Sequence, residues 1–278
     1  MIEPVGPGVG RIALRTPTLP PATHTNTWIL GHDALTVVDP ASPWPDEQAR
    51  LIAALRARAR DGVRVERLFL THHHDDHVGG VDALADALAE DGPRPVIAAH
   101  RITAERVPFA VDVEVAPGPC DWGGITWHAL FTPGHAPGHL VLHDRASGQM
   151  IAGDMVAGVG TILIDPADGD LGQYLASLEL MRRAGPTALM PAHGPVLTNA
   201  DALLSMYIAH RHARTEQVRA ALDRAGAADP AEIAAIVYPE LPPAGQRIAA
   251  IQVRSILAYL RGHGLAHPVG GGQWAADA

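Results

Sequence analysis

Leu70-Thr71-His72-His73-His74-Asp75-Asp76-His77, followed at once by Val78-Gly79-Gly80, decides how this 278-residue chain is read. Upstream lies an apolar, strand-like run, Leu68-Phe69-Leu70, and downstream Val81, Leu84, Ala85 and Leu88 recur at helical spacing. The histidines and aspartates therefore fall on the turn between a strand end and a helix start, where side chains converge on one point. Imidazole and carboxylate are the groups that zinc and similar divalent ions prefer, and the stretch holds more of them than one tetrahedral ion uses. The plain alternative is a polar loop in a chain with 16 histidines. A solvated loop has no need of the order H-x-H-x-D-H.

Working outward, residues 63–70 read as the strand feeding this motif. Residues 46–61 read as an amphipathic helix with Leu51, Ile52 and Leu55 inward and Gly62 just past its end. Residues 27–30 and 34–38 form a hairpin around Gly31-His32-Asp33, with Asp39 at the polar end of its second strand. The first 22 residues are read as an irregular lead-in with a short strand near 11–14. Residues 95–99 and 125–131 are further strands, and 101–122 between them read as a surface excursion. The second of these strands delivers Thr132-Pro133-Gly134-His135. Another hairpin, residues 141–143 with 150–151, ends in Ala152-Gly153-Asp154. A helix over 171–184 and a last strand at 188–190 lead into Pro191-Ala192-His193. Taken singly, Asp39, His135 and Asp154 would be ordinary turn residues.

Together, His72-x-His74-x-Asp76-His77 preceded by Asp39 and followed by His135, Asp154 and His193 resembles the signature of the metallo-β-lactamase superfamily. That superfamily comprises hydrolases and some oxidoreductases on an α/β fold, the αββα sandwich, and the matches span most of residues 25–200. The resemblance implies a first metal ion on His72, His74 and His135, and a second on Asp76, His77 and His193. Asp154, with two carboxylate oxygens, would bridge them. It also places Asp39 behind the metals, orienting a ligand histidine. His139 is expected to support or pack, because Pro137 opposes a helix that would align it with His135. Two divalent ions are implied, zinc first, with iron or manganese as alternatives. Ions about 3.5–4 Å apart hold a shared hydroxide near neutral pH, so Asp76 and Asp154 are the expected catalytic carboxylates and no serine or cysteine nucleophile is needed.

Composition bounds the rest. The length suits one large domain with a small appendage, and no apolar run approaches the roughly 20 residues of a membrane span. The start of the chain lacks a basic region followed by an apolar core. The lone Cys120 excludes an internal disulfide and fits a reducing compartment, so a cytoplasmic location is expected. All 21 basic residues are arginine. The net charge of −9 argues against an obvious polyanion binder, although residues 205–278 carry 7 Arg against 6 acids.

Beyond about residue 200 the pattern becomes arginine- and alanine-rich: a long helix over 202–225, a short one over 230–237, and a third over 248–263 before Gly264-Leu265-Ala266. Helix, short helix, helix and a small wing is the order of a winged-helix module. The expected domains are 1–204 and 205–268, with 269–278 as a frayed tail. The module would contact nucleic acid or serve for packing and homo-oligomer formation. With Gly160-Thr161-Ile162 and His210-Arg211, this tail resembles the beta-lactamase-like protein two subgroup, known for endonucleolytic cleavage of single-stranded RNA. Relatives of the same architecture act as acyl-carrier thioesterases.

Departures from other branches narrow the reading. Cysteine-bearing β-lactamases have Cys where Asp154 stands, diiron flavoproteins have Glu where His74 stands, and the lysine-free tail has no evident match to the glutathione-binding residues of glyoxalase II. The expectation is a dinuclear hydrolase acting on single-stranded RNA or on small acyl thioesters and esters. No general acid is evident, which favours a thiolate leaving group. A mononuclear iron dioxygenase would leave Asp76, His77 and His193 unused. A non-catalytic nucleic-acid binder would use the metals only as a prop.

Overall fold

A computed structural model of the chain describes residues 1–59 and 62–277. The described residues form two compact units. The first comprises residues 1–132, 138–161 and 185–200. Seven of its strands make one sheet in sequence order: β1 (Glu3–Gly6), β2 (Val9–Arg15), β3 (His24–Leu30), β4 (Ala34–Val38), β5 (Arg64–Leu70), β6 (Val96–Ala99) and β7 (Val113–Glu114). Pairing is antiparallel from β1 to β4 and parallel from β4 to β7. A second sheet contains β8 (Gly118–Trp122), β9 (Ile125–Phe131), β10 (Leu140–Asp144), β11 (Gln149–Gly153), β12 (Ala188–Pro191) and β13 (Leu197–Thr198), in the order β13-β12-β11-β10-β9-β8.

Strand alternation distributes the core between two layers. On β5, Leu68 and Leu70 turn to one face with Ile29, Val37 and Ile97, and helices α1 (Pro45–Ala59) and α3 (Val81–Ala89) cover it with Leu51, Leu55, Val81 and Leu84. Phe69 turns to the other face, where Trp28, Val38 and Ala98 meet Trp127, Ala129, Leu142, Ile151 and Met190 of the second sheet. Near-continuous apolar runs on β4, on β6 and over residues 68–70 at the end of β5 are what strands buried on both faces require. Between β5 and α3 stands the single turn α2 (Asp75–Val78). Two sheets sharing one core, with helices on the outer face of the first, are the mixed α/β arrangement that the resemblance implied.

The second unit comprises residues 133–137, 162–184 and 201–278. It holds α5 (Leu171–Ala184), nearly all of α6 (Ala200–Ala225), α7 (Pro230–Val237), α8 (Pro243–Gly262) and a hairpin of β14 (Ala266–Gly270) and β15 (Gln273–Ala276). An Asp229–Glu232 capping box starts α7, with Pro230 in its first turn. No described helix is long and apolar enough to cross a membrane.

Several expectations are corrected. The short strand expected near 11–14 is present within β2, but β1 precedes it as an edge strand, and residues 101–122 contain α4 (Arg101–Ala104) with the edge strands β7 and β8. The expected last strand is followed by β13. Such short edge strands pair through their backbones and carry little side-chain periodicity. The frayed end is an ordered hairpin: Gly270, Gly271 and Gly272 all adopt positive φ to close the turn, and Trp274 exchanges backbone hydrogen bonds with Ala228. The expected helix end at residue 61 lies outside the described residues.

Candidate metal centre

The parallel strand β5 ends at Leu70 and leaves Thr71 and His72 fully buried at the edge of the core. The chain then turns through α2, which carries Asp76 and His77 inward. Gly80 makes the turn possible: its N–H donates to the Pro40 carbonyl at 2.8 Å, and a Cβ there would lie 2.5 Å from that oxygen. The motif is thereby pressed against the segment after β4, which begins with Asp39.

Asp39 ties the motif together. Its Oδ1 accepts from the Thr71 N–H at 2.8 Å, and its Oδ2 accepts from Thr71 Oγ1 at 2.7 Å and from His77 Nδ1 at 2.8 Å. Because Thr71 gives its one hydroxyl proton to Asp39, it must accept from His72 Nδ1, 3.0 Å away. His72 Nε2, left as the acceptor nitrogen, then faces Nδ1 of His74 at 3.0 Å.

The remaining side chains arrive from the second sheet. Asp154 follows β11 directly after Gly153, and its backbone N–H donates to His139 Nε2 at 3.2 Å. His139 Nδ1 in turn donates to Thr132 Oγ1 at 2.9 Å. His139 thus holds the Asp154 backbone. His193 follows β12, and its Nδ1 donates to the His24 carbonyl at 2.9 Å. That fixes Nε2 toward the carboxylates, 3.4 Å from Asp154 Oδ1 and 3.5 Å from Asp76 Oδ2. Ligand atoms of His72, His77 and Asp154 lie within 4.8 Å of one another, as do those of Asp76, His77 and His193.

His135 belongs to the second unit. Gly134 before it takes φ 136°, and a Cβ there would lie 2.2 Å from the Tyr174 backbone nitrogen. His135 is 8% exposed, and its Nδ1 donates to the Leu163 carbonyl at 2.9 Å. His72, His77, His193 and His135 therefore share one design: one ring nitrogen gives its proton to an oxygen acceptor, which fixes the tautomer of the other.

The clearest fit to a cation is His77. Its Nε2 is buried with no hydrogen-bond partner, 3.6 Å from Asp154 Oδ1 and 3.9 Å from Asp76 Oδ1. A mixed set of imidazoles and carboxylates around such a nitrogen suits zinc, iron or manganese. In the protein alone, burial disfavours the His77 cation, but Asp154, Asp76 and Asp39 outweigh it and raise its pKa well above the ordinary value. Burial likewise opposes the Asp154 anion, yet His193 and His77 hold its pKa well below the usual carboxylate range. His193 is raised, with burial again overcome by Asp154. The carboxylates of Asp39, Asp76 and Asp154 are the charges a cation would find complementary, and it would replace the protons they draw onto His77 and His193.

Two participants had no distinct sequence signal. Thr71 couples Asp39 to His72, and Thr18 Oγ1 stands 3.4 Å from His193 Nε2. Thr71 is at least adjacent to the motif, whereas Thr18 lies in the Pro-rich lead-in. Trp44 lies under the Arg15 guanidinium, and Trp122 packs in the core.

Comparison with known proteins agrees with this geometry. A family model described as the metallo-beta-lactamase superfamily matches residues 20–193. The chain is similar to a Beta-lactamase-like protein 2 homolog from Caenorhabditis elegans, 28% identical over 93% of this chain and 86% of that protein. It is also similar to an Atrochrysone carboxyl ACP thioesterase from Aspergillus fumigatus, 28% identical over 87% of this chain and 76% of that one. A solved beta-lactamase domain protein from Burkholderia ambifaria shares the fold with TM-score 0.85 at 24% identity, over 99% of this chain and 93% of the other. With ordered motif, matching fold and family model in agreement, the chain belongs to the metallo-β-lactamase superfamily.

Proposed function

We propose that the protein is a dinuclear metal-dependent hydrolase, with small acyl thioesters as its substrate class. The observation that carries the metal reading is the buried, partnerless Nε2 of His77 among the carboxylates of Asp154 and Asp76. Asp76, His77 and His193 would hold one ion, and His72 and His74 the other, joined by His135 on the strength of the superfamily's motif order. Asp154 would serve both, and zinc is the metal proposed. When bound, the ions supply a hydroxide at neutral pH and polarise the acyl oxygen. The chain's own part is to orient. Asp76, the more exposed of the two carboxylates, accepts a hydrogen bond from the attacking water, while Asp39 and His139 hold His77 and Asp154 in place.

Two considerations favour a thioester. A thiolate departs without a proton donor, and one similar protein is named an ACP thioesterase. Single-stranded RNA is the second reading, favoured by similarity to the Beta-lactamase-like protein 2 homolog along 93% of the chain. The deciding experiment gives zinc-loaded protein an acyl-pantetheine thioester and, separately, a labelled single-stranded RNA. His77→Ala is purified alongside. Thiol release that falls by about 100-fold or more in the variant supports the thioesterase. RNA cleavage alone, lost in the variant, replaces it with the nuclease, and no metal-dependent hydrolysis of either refutes both.

A further inference from the structure

Helix α8 bears a feature that hydrolysis does not use. Arg247, Arg254 and Arg261 recur every seventh residue, about 10.5 Å apart along the axis, and so share one face. Ala250, Ile251 and Ala258 fall between them on the same stripe. The opposite face, with Val253, Ile256, Leu257 and Leu260, is buried. All three arginines are exposed, and among the described residues none makes an ion pair. Arg11, Arg15, Arg50 and Arg56 of the first unit are, by contrast, paired with carboxylates. Residues 241–276 contain no Asp or Glu, in a chain of net charge −9.

The stripe floors an open groove of about 1160 Å³ within the second unit. One wall is the β14–β15 hairpin, whose Gly271 and Gly272 put no side chain in the way and whose Trp274 adds an apolar flank. The other wall is the start of α7. Asp229 lines it, but its carboxylate accepts from the backbone N–H groups of Ala231 and Glu232. The groove thus offers a row of cations interleaved with small apolar side chains. Another α-helix presents side chains at this same seven-residue interval, with an apolar seam between. A nucleic-acid strand carries a phosphate at every nucleotide and calls for an unbroken basic track.

We propose that this groove docks an acidic amphipathic α-helix of a partner protein, its carboxylates meeting Arg247, Arg254 and Arg261 and its apolar seam lying on Ala250, Ile251 and Ala258. Charge of this kind steers encounter and fixes register. The test uses the full chain and a fluorescent, helix-stabilised peptide with glutamate at every seventh position and leucines on the same face. Anisotropy should show saturable binding that weakens with salt, falls about tenfold in Arg254→Gln and disappears in the Arg247→Gln/Arg254→Gln/Arg261→Gln variant. All three positions are solvent-exposed, and circular dichroism checks that the variants fold. Absence of binding overturns the proposal, as does equal affinity for a scrambled peptide of the same composition. Displacement by a lower concentration of oligouridylate acting through the same arginines would make the groove a nucleic-acid surface instead.

Discussion

Asp39 sits at φ 51°, in the left-handed region that a residue with a Cβ enters at a cost. Three hydrogen bonds to its carboxylate, from Thr71 N, Thr71 Oγ1 and His77 Nδ1, hold it there. The aspartate was legible as the polar end of a strand, and the superfamily's motif order gave it a place near the metals. Its coupling to Thr71 was not legible, because one threonine at a strand end carries no spacing signal. The bond to His77 gives an experiment. Asp39→Asn keeps size and shape but turns one acceptor into a donor. An amide N–H would then face either the His77 Nδ1 proton or the Thr71 donors. The variant should fold and lose about 10–100-fold in metal affinity, measured by competition with a chromophoric chelator. Parent-like affinity would remove Asp39 from the orientation of His77.

At the scale of elements, β5, β9, α5 and α7 were legible because their apolar spacing or their start and stop residues are strong. The start of α8 was placed five residues late, although Pro243 at the first helical position is itself a start signal. What the sequence did not display is how α1 is fastened to β2. Glu47, only 5% exposed in the first turn of α1, accepts from Arg15 Nε and Arg50 Nη1, each at 2.6 Å, while Arg15 also pairs with Asp46. Burial alone would raise the Glu47 pKa, but the Arg15 and Arg50 hydrogen bonds and charges outweigh it and the pKa is lowered. A carboxylate lowered on folding stabilises the fold fully above its unfolded pKa. That contribution is lost as pH falls from there through the folded value. Glu47→Gln should cost about 1–2 kcal/mol at neutral pH, the lower part of the range for charged hydrogen bonds because both arginines are partly exposed. Urea unfolding of parent and variant at neutral and acidic pH measures this. The difference should shrink toward the acid end, and a constant difference would assign Glu47 a packing role only.

For the whole molecule, most central strands were readable from alternation, whereas the two-sheet architecture and the order of the metal motif came from the resemblance to the superfamily. The edge strands and the terminal hairpin were not readable, since backbone pairing and glycine turns make them. The candidate centre draws Asp39 and residues 72–77 from the end of the first sheet, and Asp154 and His193 from the ends of β11 and β12 in the second. A cation held there would clasp the two sheets at one end of their shared core, in addition to balancing buried carboxylates. A ligand that binds only the folded chain stabilises it by mass action, about 4 kcal/mol at a thousandfold excess over its dissociation constant. At about 2–4 °C per kcal/mol for a domain of this size, zinc should raise Tm by roughly 10 °C, and a strong chelator should reverse the gain. Scanning calorimetry of the parent and His77→Ala, each with zinc and with chelator, separates this from nonspecific effects. The parent should respond clearly more than the variant, which keeps only the site on His72 and His74. Equal shifts in both proteins would place the stabilising ion away from His77, and the clasp would then be wrong.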